Sequence, residues 1–300
     1  MRILLTGSTG FIGAALGRRL SIEGHDIFCV CRPETQIPFG RRVIWDGGNP
    51  FATRDFPHTA DAVVHLAQSR SYRCFPADSV EMFKANVGMT MSLLEWAARS
   101  GIKQFCLVSS GAVYEPFGRD LKEDAALAPL GFLGASKFAS EIIARPFSKL
   151  FALSTLRLFF PYGPGQLHRL IPELIRRVRT GAAIQIATDG LGVRLPPTFV
   201  GDVIDVILAS LGSSWNDTIN VATPETLSIR QIVTMIGQEL GIEPRLEIVQ
   251  NSSADIVPDL SRLASRFDLS RFTPFEEGLR RTILSDFGET VPGPRKSEAK

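Results

Sequence analysis

The sequence predicts an α/β protein, in which a doubly wound, Rossmann-like parallel sheet is joined to a smaller C-terminal α/β lobe. Short runs of β-branched residues alternate with amphipathic stretches through the first half of the 300-residue chain, and this alternation is typical of parallel strands covered by helices. Several runs are apolar at nearly every position, which indicates strands that are buried on both faces. A glycine-rich turn directly follows the first run.

The first half contains six predicted strands and two well-marked helices. The strands cover residues 2–6, 26–31, 42–46, 61–66, 103–109 and 153–159. Apolar residues recur at three- and four-residue steps from Val80 to Leu94, which predicts a long amphipathic helix over 80–98. A second helix is expected from Gly134 to Arg145, because Pro146 lacks the N–H that a helix interior needs.

The pattern changes after Phe160, where prolines and glycines form a turn-rich crossing. Beyond it we predict helices over 170–178, 202–211 and 275–287, and strands over 184–187 and 219–222. Ser228 and Gln231 have the spacing of a capping box before a further helix that ends at Gly241.

These elements divide the chain into two lobes and a tail. The Rossmann-type lobe takes residues 1–162 and also receives 198–224, while the smaller lobe takes 163–197 and 225–288. Residues 289–300 are rich in proline, glycine and charge, and we expect them to form a disordered tail.

Composition and charge exclude several classes of partner. A formal net charge of +2 gives no field that favours nucleic acid or an anionic membrane. The cysteines have neither zinc-knuckle nor C-x-x-C spacing, so we expect reduced thiols and no metal. The apolar run at the N-terminus is too short for a signal-peptide core, and no stretch reaches the length of a membrane span. A cytoplasmic protein is therefore expected.

The turn over residues 6–13 is a candidate pyrophosphate site. It follows a strand and opens a helix, so its glycines let the backbone approach a phosphate while the helix N-terminus offers free N–H groups. No Gly-Lys-Ser/Thr follows, which argues against a P-loop. The candidate cofactor ligands of this turn are Gly7, Thr9, Gly10, Phe11, Ile12 and Gly13.

The end of the second strand bears on the choice between NAD and NADP. An acidic residue there accepts bonds from the ribose hydroxyls of NAD, whereas an arginine pairs with the 2′-phosphate of NADP. This chain has Arg32 and no acid at the tip, which favours NADP and leaves NAD open, since Arg32 also fits a surface residue. Asp46 is a candidate for contact with the adenine edge; its alternative is a turn-capping role.

Further motifs continue along nearly the whole chain. They are His65-Leu66-Ala67, Asn86 with Thr90, the run 108–114, Ser136-Lys137, the run 162–166, Phe199-Val200 with Asp202, Asn220-Val221 and the run 273–279. In this order they resemble the extended short-chain dehydrogenase/reductase family, and within it the NAD-dependent epimerase/dehydratase group that acts on nucleotide-sugars. The resemblance implies a dinucleotide-binding larger lobe and a substrate-binding smaller lobe.

The resemblance also implies hydride transfer at a sugar carbon, assisted by Ser or Thr, Tyr and Lys. The phenol exchanges the alcohol proton, a nearby ammonium lowers the phenol's pKa, and a hydroxyl orients the substrate oxygen. Ser110 and Lys137 stand at two of these positions. Leu133 stands at the third, where the resemblance implies the tyrosine, and leucine cannot transfer a proton. The implied cofactor ligands include Leu66, Ala67 and Lys137.

Three residues are the implied substrate contacts: Ser110, Phe160 and Arg194. Related sugar enzymes often have an asparagine where Phe160 stands, so this is a second departure from the pattern. Arg194 resembles the arginine that grips the nucleotide diphosphate, and arginine suits bidentate phosphate contact. A plain surface charge is the alternative for Arg194.

Other side chains could take over the missing proton transfer. Tyr114 is the nearest candidate by motif and is counted among the catalytic candidates, although ordinary packing is favoured for it. Tyr72 and Tyr162 are lesser candidates, interpreted as ligand-contacting or structural residues. His65 is interpreted as a strand-end turn residue, and His168 as a solvent-facing helix residue.

Two classes of function follow. The first is an NAD(P)-dependent oxidoreductase or epimerase of a nucleotide-diphosphate sugar, with a 4-keto-sugar reductase or an epimerase favoured; dehydratases carry an Asp-Glu pair where this chain has Gly111-Ala112. The second is a catalytically impaired dinucleotide-binding protein, a redox sensor or assembly subunit, which Leu133 and Phe160 motivate. In either class the two long helices predict a homodimer, as family members commonly pair them across a two-fold axis.

Overall fold

The structure is a computed structural model that describes residues 1–33, 35–45, 48–52, 55–69, 74–187, 189–250 and 254–288. Its strands are β1 (Arg2–Thr6), β2 (Asp26–Cys31), β3 (Arg41–Ile44), β4 (Ala62–His65), β5 (Gln104–Ser110), β6 (Ala152–Leu158), β7 (Pro161–Tyr162), β8 (Ile184–Ile186), β9 (Arg194–Leu195), β10 (Thr198–Phe199), β11 (Thr218–Val221), β12 (Leu227–Ser228) and β13 (Leu246–Ile248). Its helices are α1 (Phe11–Ile22), α2 (Ser79–Phe83), α3 (Met89–Arg99), α4 (Phe132–Ala144), α5 (Leu170–Arg179), α6 (Val200–Gly212), α7 (Ile229–Leu240), α8 (Ser261–Ala264) and α9 (Phe275–Phe287).

The main sheet has seven parallel strands in the order β11-β6-β5-β4-β1-β2-β3. This confirms the predicted α/β class with a Rossmann-like parallel sheet. From β1 the chain moves outward through β2 and β3, then returns to the other side of β1 as β4. The order therefore reverses between β1 and β4, and ligands of open α/β sheets bind at the carboxyl ends of the strands at such a point.

Alternate residues of the strands fill two separate cores, one on each face of the sheet. Ile3 and Leu5 pack with α1 and α6 on one face, whereas Leu4 packs with α3 on the other. Since side chains alternate along a strand, a run such as β1 must be apolar at every position to fill both. The continuous apolar runs in the sequence have this cause.

The smaller lobe has short strand pairs and a core of its own. β7 pairs with β10, β9 with β12 and β8 with β13, around a cluster that includes Ile175, Ile232 and Phe275. Helix α7 begins with the predicted capping box at Ser228 and ends at Gly241 with φ +66°. The segment between β10 and β12 returns to the large sheet as α6 and β11.

Three local expectations need correction. The predicted helix over 80–98 is interrupted by a π-helical turn at Lys84–Gly88, between α2 and α3. Helix α4 begins at Phe132, earlier than Gly134, and its end continues through Pro146 as the 3₁₀ turn Arg145–Lys149. His168 is exposed, as expected, but it precedes α5 with φ +56° and is not helical. The predicted tail from residue 289 lies outside the described residues.

Candidate active site

The glycine turn between β1 and α1 is packed so closely that side chains are excluded from it. Gly7 has φ +70°, and a Cβ there would lie 2.8 Å from the carbonyl carbon of Leu66, just beyond β4. A Cβ on Gly13 would lie 2.1 Å from the Gly7 carbonyl oxygen. The Gly10 N–H donates to the same oxygen at 2.9 Å. Only glycines allow the turn to close in this way.

The turn forms a cradle that fits a pyrophosphate. Thr9 and Gly10 are exposed, Phe11 and Ile12 are half-buried, and the α1 N-cap, Gly10, supplies no side-chain cap. The first N–H groups of a helix lack intrahelical partners and lie at the positive end of its dipole, so an anion is favoured there. The candidate ligands of the turn thus lie at the crevice between β1 and β4, as the dinucleotide proposal requires.

A chain of buried hydrogen bonds runs beneath this crevice. The Thr6 hydroxyl accepts from the Ala67 N–H at 3.1 Å and lies 2.6 Å from Nδ1 of His65. Nε2 of His65 lies 2.9 Å from the Thr90 hydroxyl, which donates to the Asn86 carbonyl at 2.5 Å. Because the Thr90 proton is already used, that hydroxyl accepts from His65. The neutral ring therefore carries its proton on Nε2 and accepts from Thr6 at Nδ1.

Complete burial keeps this histidine neutral. Desolvation, together with the nearby positive charge of Lys137, lowers the pKa of His65 to about 3. His65 ends β4 as expected, but its interpretation as a turn residue is wrong, because it is fully buried and its two ring nitrogens are both engaged. It is not a proton donor to a ligand.

The π-helical turn places Asn86 where three segments meet. Its Oδ1 accepts from the Ser69 N–H at 3.3 Å, and its Nδ2 donates to the Ser136 hydroxyl on α4 at 2.9 Å. Its carbonyl also accepts from Ser140 at 2.8 Å. Single π turns within α-helices occur frequently at functional sites. Here the turn links the segment after β4 to the first turns of α4.

Helix α4 delivers Lys137 to the end of β5. A Cβ on Gly134 would lie 2.3 Å from the Ala112 carbonyl oxygen, so the glycine is what lets the helix approach. Lys137 is 5% exposed, and its Nζ donates to the Val108 carbonyl at 3.0 Å. Burial lowers the pKa of Lys137 to about 8, and the negative charge of Glu141 opposes that shift.

Ser110 and Leu133 stand at the two other positions of the implied catalytic set. Ser110 ends β5, and its hydroxyl accepts from the Ala112 N–H at 3.2 Å. Leu133 is half-buried in the first turn of α4. Residues four apart in a helix share a face, so the leucine side chain stands one turn before Lys137, where the resemblance implies a tyrosine. The Leu133 side chain thus shares a face of α4 with Lys137, which bonds to β5 two residues before Ser110.

Tyr114 does not lie free to replace the missing phenol. It is 6% exposed, its hydroxyl donates to Oδ1 of Asn220 at 2.8 Å, and the same hydroxyl accepts from Arg157 at 2.7 Å. Burial raises its pKa. Tyr162 is also buried and donates to the Phe275 carbonyl at 3.2 Å. Ordinary packing accounts for both tyrosines, and Tyr72 lies outside the described residues.

A buried ion pair beside Tyr114 was not foreseen in the sequence. Arg157 on β6 and Glu141 on α4 are joined at 2.6 Å, with side chains only 2% and 4% exposed. Glu141 also accepts from the Ser109 hydroxyl at 2.5 Å. The only sequence signal is a single arginine within an apolar strand run.

Phe160 and Arg194, the two other implied substrate contacts, lie in different environments. Phe160 is half-buried with φ +42°, a conformation that asparagine adopts more readily than a bulky residue. Arg194 is exposed on β9, and its N–H donates to Oδ1 of Asp255 at 2.9 Å. The other oxygen of Asp255 accepts from Arg119. One carboxylate on this side of the smaller lobe therefore accepts from the backbone of Arg194 and from the guanidinium of Arg119.

The adenosine end of the expected site is described in part. Arg32 is exposed directly after β2, and its carbonyl accepts from the Thr35 N–H at 3.0 Å. Asp46 lies outside the described residues. Within the described ranges no cluster of three His, Cys, Asp or Glu side chains could hold a metal, and no helix is both long and apolar enough to cross a membrane.

Comparison with known proteins gives consistent matches over most of the chain. The model of the NAD dependent epimerase/dehydratase family matches residues 3–222. UDP-glucuronic acid decarboxylase 1 of Xenopus tropicalis is 24% identical over 94% of this chain and 71% of its own. The dTDP-4-dehydro-6-deoxy-D-allose reductase of a Streptomyces species is 25% identical over 93% of this chain and 94% of its own.

Solved structures share the fold. MoeE5 in complex with UDP-glucuronic acid and NAD is 27% identical, covers 94% of this chain and 98% of that chain, and has a TM-score of 0.79. UDP-glucuronic acid 4-epimerase from Bacillus cereus in complex with NAD is 22% identical, covers 95% of this chain and 98% of that chain, and has a TM-score of 0.82. At that lower identity the likeness concerns the fold.

Proposed function

The chain belongs to the NAD-dependent epimerase/dehydratase family, and on that basis we propose that it is an NAD(P)-dependent oxidoreductase of nucleotide-diphosphate sugars that reduces a 4-keto-sugar. One observation carries the proposal: Ser110 ends β5, and the buried ammonium of Lys137 bonds to the Val108 carbonyl two residues earlier in that strand, which is the neighbour of β4, after whose end the glycine turn packs. When bound, a reduced nicotinamide supplies hydride to the sugar carbon. Ser110 then orients the sugar oxygen, and Lys137 provides positive charge where the alkoxide develops.

Reduction is favoured over elimination by the residues after β5. Elimination needs acidic side chains there, whereas this chain has Gly111-Ala112, and a Cβ on Gly111 would lie 2.6 Å from the Phe159 ring. An acid at position 111 therefore has no room. The Streptomyces relative is named for a keto-sugar reductase activity, and MoeE5 binds a UDP-sugar with NAD, which supports the substrate class.

Turnover with keto-sugars tests the proposal. Purified protein is incubated with NADPH or NADH and a panel of UDP- and dTDP-linked 4-keto-sugars, beginning with dTDP-4-dehydro-6-deoxy-D-allose. Loss of reduced nicotinamide with formation of the matching alcohol is the expected result. A stable cofactor signal with every sugar, in protein that binds NADPH, would favour the second candidate function.

The second candidate is a dinucleotide-binding protein without catalysis, such as a redox sensor or an assembly subunit. Leu133 beside Lys137 favours it, because the usual proton donor is absent. The engaged hydroxyl of Tyr114 favours it as well, since that phenol cannot act as substitute without breaking two buried bonds. Either function uses the same cofactor cradle.

We propose NADP as the preferred cofactor because Arg32 stands exposed at the tip of β2, where a 2′-phosphate would lie. Arg32→Ala is expected to weaken NADPH binding about tenfold, or about 1.4 kcal/mol, because one charge-assisted bond is lost. NADH binding should stay within about twofold. Fluorescence titration measures both affinities, and Arg41→Ala, an exposed arginine on β3, is the matched control. Equal weakening of NADPH and NADH would contradict the preference.

We also propose a homodimer formed by α2, α3 and α4. Val80, Phe83, Met91 and Ile142 are exposed on these helices, at 63, 54, 43 and 50%. Phe83→Glu should convert a dimer to a monomer at micromolar concentration in analytical ultracentrifugation, since a charge would be buried at the two-fold interface. Leu284→Glu on α9, where Leu284 is 52% exposed, should leave the dimer intact. A monomeric wild type would refute the proposal.

We place the protein in the cytoplasm. Cys29 and Cys106 are buried free thiols whose pKa burial raises to about 12, which suits a reducing compartment in which they stay unreactive.

A further inference from the structure

The structure narrows the choice of proton donor for the proposed reaction. A keto-sugar that accepts hydride needs one proton on its oxygen, and Leu133 cannot give it. Within the described part of the chain, several groups near this end of β5 have their polar atoms engaged elsewhere. These are His65, Tyr114 and Glu141, which bond to the two threonines, to Asn220 and Arg157, and to Ser109 and Arg157 respectively.

Lys137 is different, because its ammonium has more N–H groups than the one bond to the Val108 carbonyl uses. A lysine ammonium carries three N–H groups, and the bond to the Val108 carbonyl at 3.0 Å uses one. Val108 lies two residues before Ser110 in β5, roughly 7 Å along the strand at about 3.3 Å per residue. The ammonium at the Val108 carbonyl is therefore held at the carboxyl-terminal part of the strand that Ser110 ends.

The charges around Lys137 favour a readily released proton. On the β4 side His65 is neutral, so no positive charge there changes with pH in the physiological range. On α4 itself Glu141 is negative, but it is already paired with Arg157 of β6 at 2.6 Å. Desolvation dominates, and it lowers the pKa of Lys137 to about 8. A general acid works best when its pKa is close to the working pH.

We propose that Lys137 itself is the general acid of this site and donates the proton that a tyrosine supplies elsewhere; the inference rests on the proposed keto-sugar reduction. As the ketone carbon accepts hydride from a reduced nicotinamide, the carbonyl π pair becomes an alkoxide lone pair. An Nζ–H bond of Lys137 breaks, and its proton forms the O–H bond of the alcohol, directly or across one water. The lysine is left as a neutral amine, which regains a proton from solvent after the product leaves.

Direct titration of the amine tests the first part of the proposal. Protein labelled with ¹³C at lysine Cε is followed by NMR across the alkaline range, and Lys137→Arg identifies the resonance. Lys137 is expected to titrate near pH 8, well below the roughly 10.4 of an ordinary lysine. Titration of Lys137 together with the other lysines would overturn the proposal, and this measurement needs neither a sugar nor turnover.

The pH dependence of single-turnover NADPH oxidation by dTDP-4-dehydro-6-deoxy-D-allose tests the second part. Because the donor must be protonated, the rate should be level below the pKa and fall about tenfold per pH unit above it. Lys137→Arg keeps the positive charge but does not release a proton. Because Lys137 is also an implied cofactor ligand, the rate is measured at saturating NADPH, where the variant should lose about 100-fold in rate together with the alkaline fall.

The outcomes separate this proposal from the function on which it rests. If the protein turns over but its rate does not change across pH 8, only the acid role of Lys137 is overturned, and the proposed reductase function stands. A Tyr72→Phe variant that loses the rate assigns the proton to that phenol, with the same consequence. No turnover in wild type, but turnover in Leu133→Tyr, shows that Lys137 cannot replace the phenol. No turnover in either protein overturns the proposed reductase function and the acid role with it.

Discussion

Leu133→Tyr is expected to raise the rate of hydride transfer by about 10²–10³-fold, because a positioned general acid contributes on that order. Position 133 stands one helical turn before Lys137, and Leu133 is half-buried, so a phenol there can reach the site. The ammonium would lower the phenol's pKa and make it an effective acid. Single-turnover NADPH oxidation with the same keto-sugar measures the gain.

Phe132→Tyr is the matched control for this substitution. Phe132 is the preceding residue of α4 and packs against Phe75 with ring centroids 5.6 Å apart. A hydroxyl there lies about 140° around the helix from Lys137, whereas position 133 lies about 40° from it. It should leave the rate within about twofold of wild type. If Leu133→Tyr binds NADPH normally but its rate is unchanged, proton donation does not limit the rate of hydride transfer.

Glu141→Gln is expected to lower the free energy of unfolding by about 3–5 kcal/mol, because breaking a buried ion pair leaves one charge without compensation. Arg157 and Glu141 are joined at 2.6 Å, and both side chains are almost fully buried. Glutamine keeps one oxygen for the Ser109 hydroxyl, but its NH₂ group cannot accept from Arg157. Urea denaturation followed by circular dichroism measures the loss.

Glu173→Gln provides the comparison for the buried pair. Glu173 pairs with Arg176 and Arg177 on the surface of α5, and all three side chains are well exposed. Such surface pairs are screened by solvent and contribute little to stability, so this variant should unfold close to wild type. Similar losses of unfolding free energy in the two variants would mean that the buried Arg157–Glu141 pair stabilises the fold no more than a surface pair does.

The sequence predicted the main sheet well, because burial of a strand on both faces requires continuous apolar runs such as β1 and β4. It did not predict the π-helical turn at Lys84–Gly88. The apolar spacing from Val80 to Leu94 fits an uninterrupted helix equally well, and one extra residue in a turn leaves that pattern nearly unchanged. The turn becomes visible only in the contacts that Asn86 makes.

The residues proposed as ligands can be named from the sequence, whereas the buried hydrogen bonds around them cannot. Glycine spacing and the position of Lys137 are local features that a sequence shows directly. The partners of His65 lie 59 and 25 residues away in the chain, and those of Arg157 lie 16 and 43 residues away. From the sequence, a polar residue at a strand end is therefore expected to be exposed, because the partners that it meets in the folded protein are far away along the chain. Tyr114 was ambiguous for the same reason.

The central claim is that this chain binds a nicotinamide dinucleotide in the glycine cradle and uses it on a nucleotide-sugar. Titration of the purified, nucleotide-free protein with NADPH, followed by fluorescence, tests the claim most directly. We expect saturable binding with one site per chain, weaker binding of NADH, and loss of binding in Gly13→Val, whose side chain would collide with the Gly7 carbonyl. No saturable binding of either NADPH or NADH by the folded wild-type protein would contradict the account.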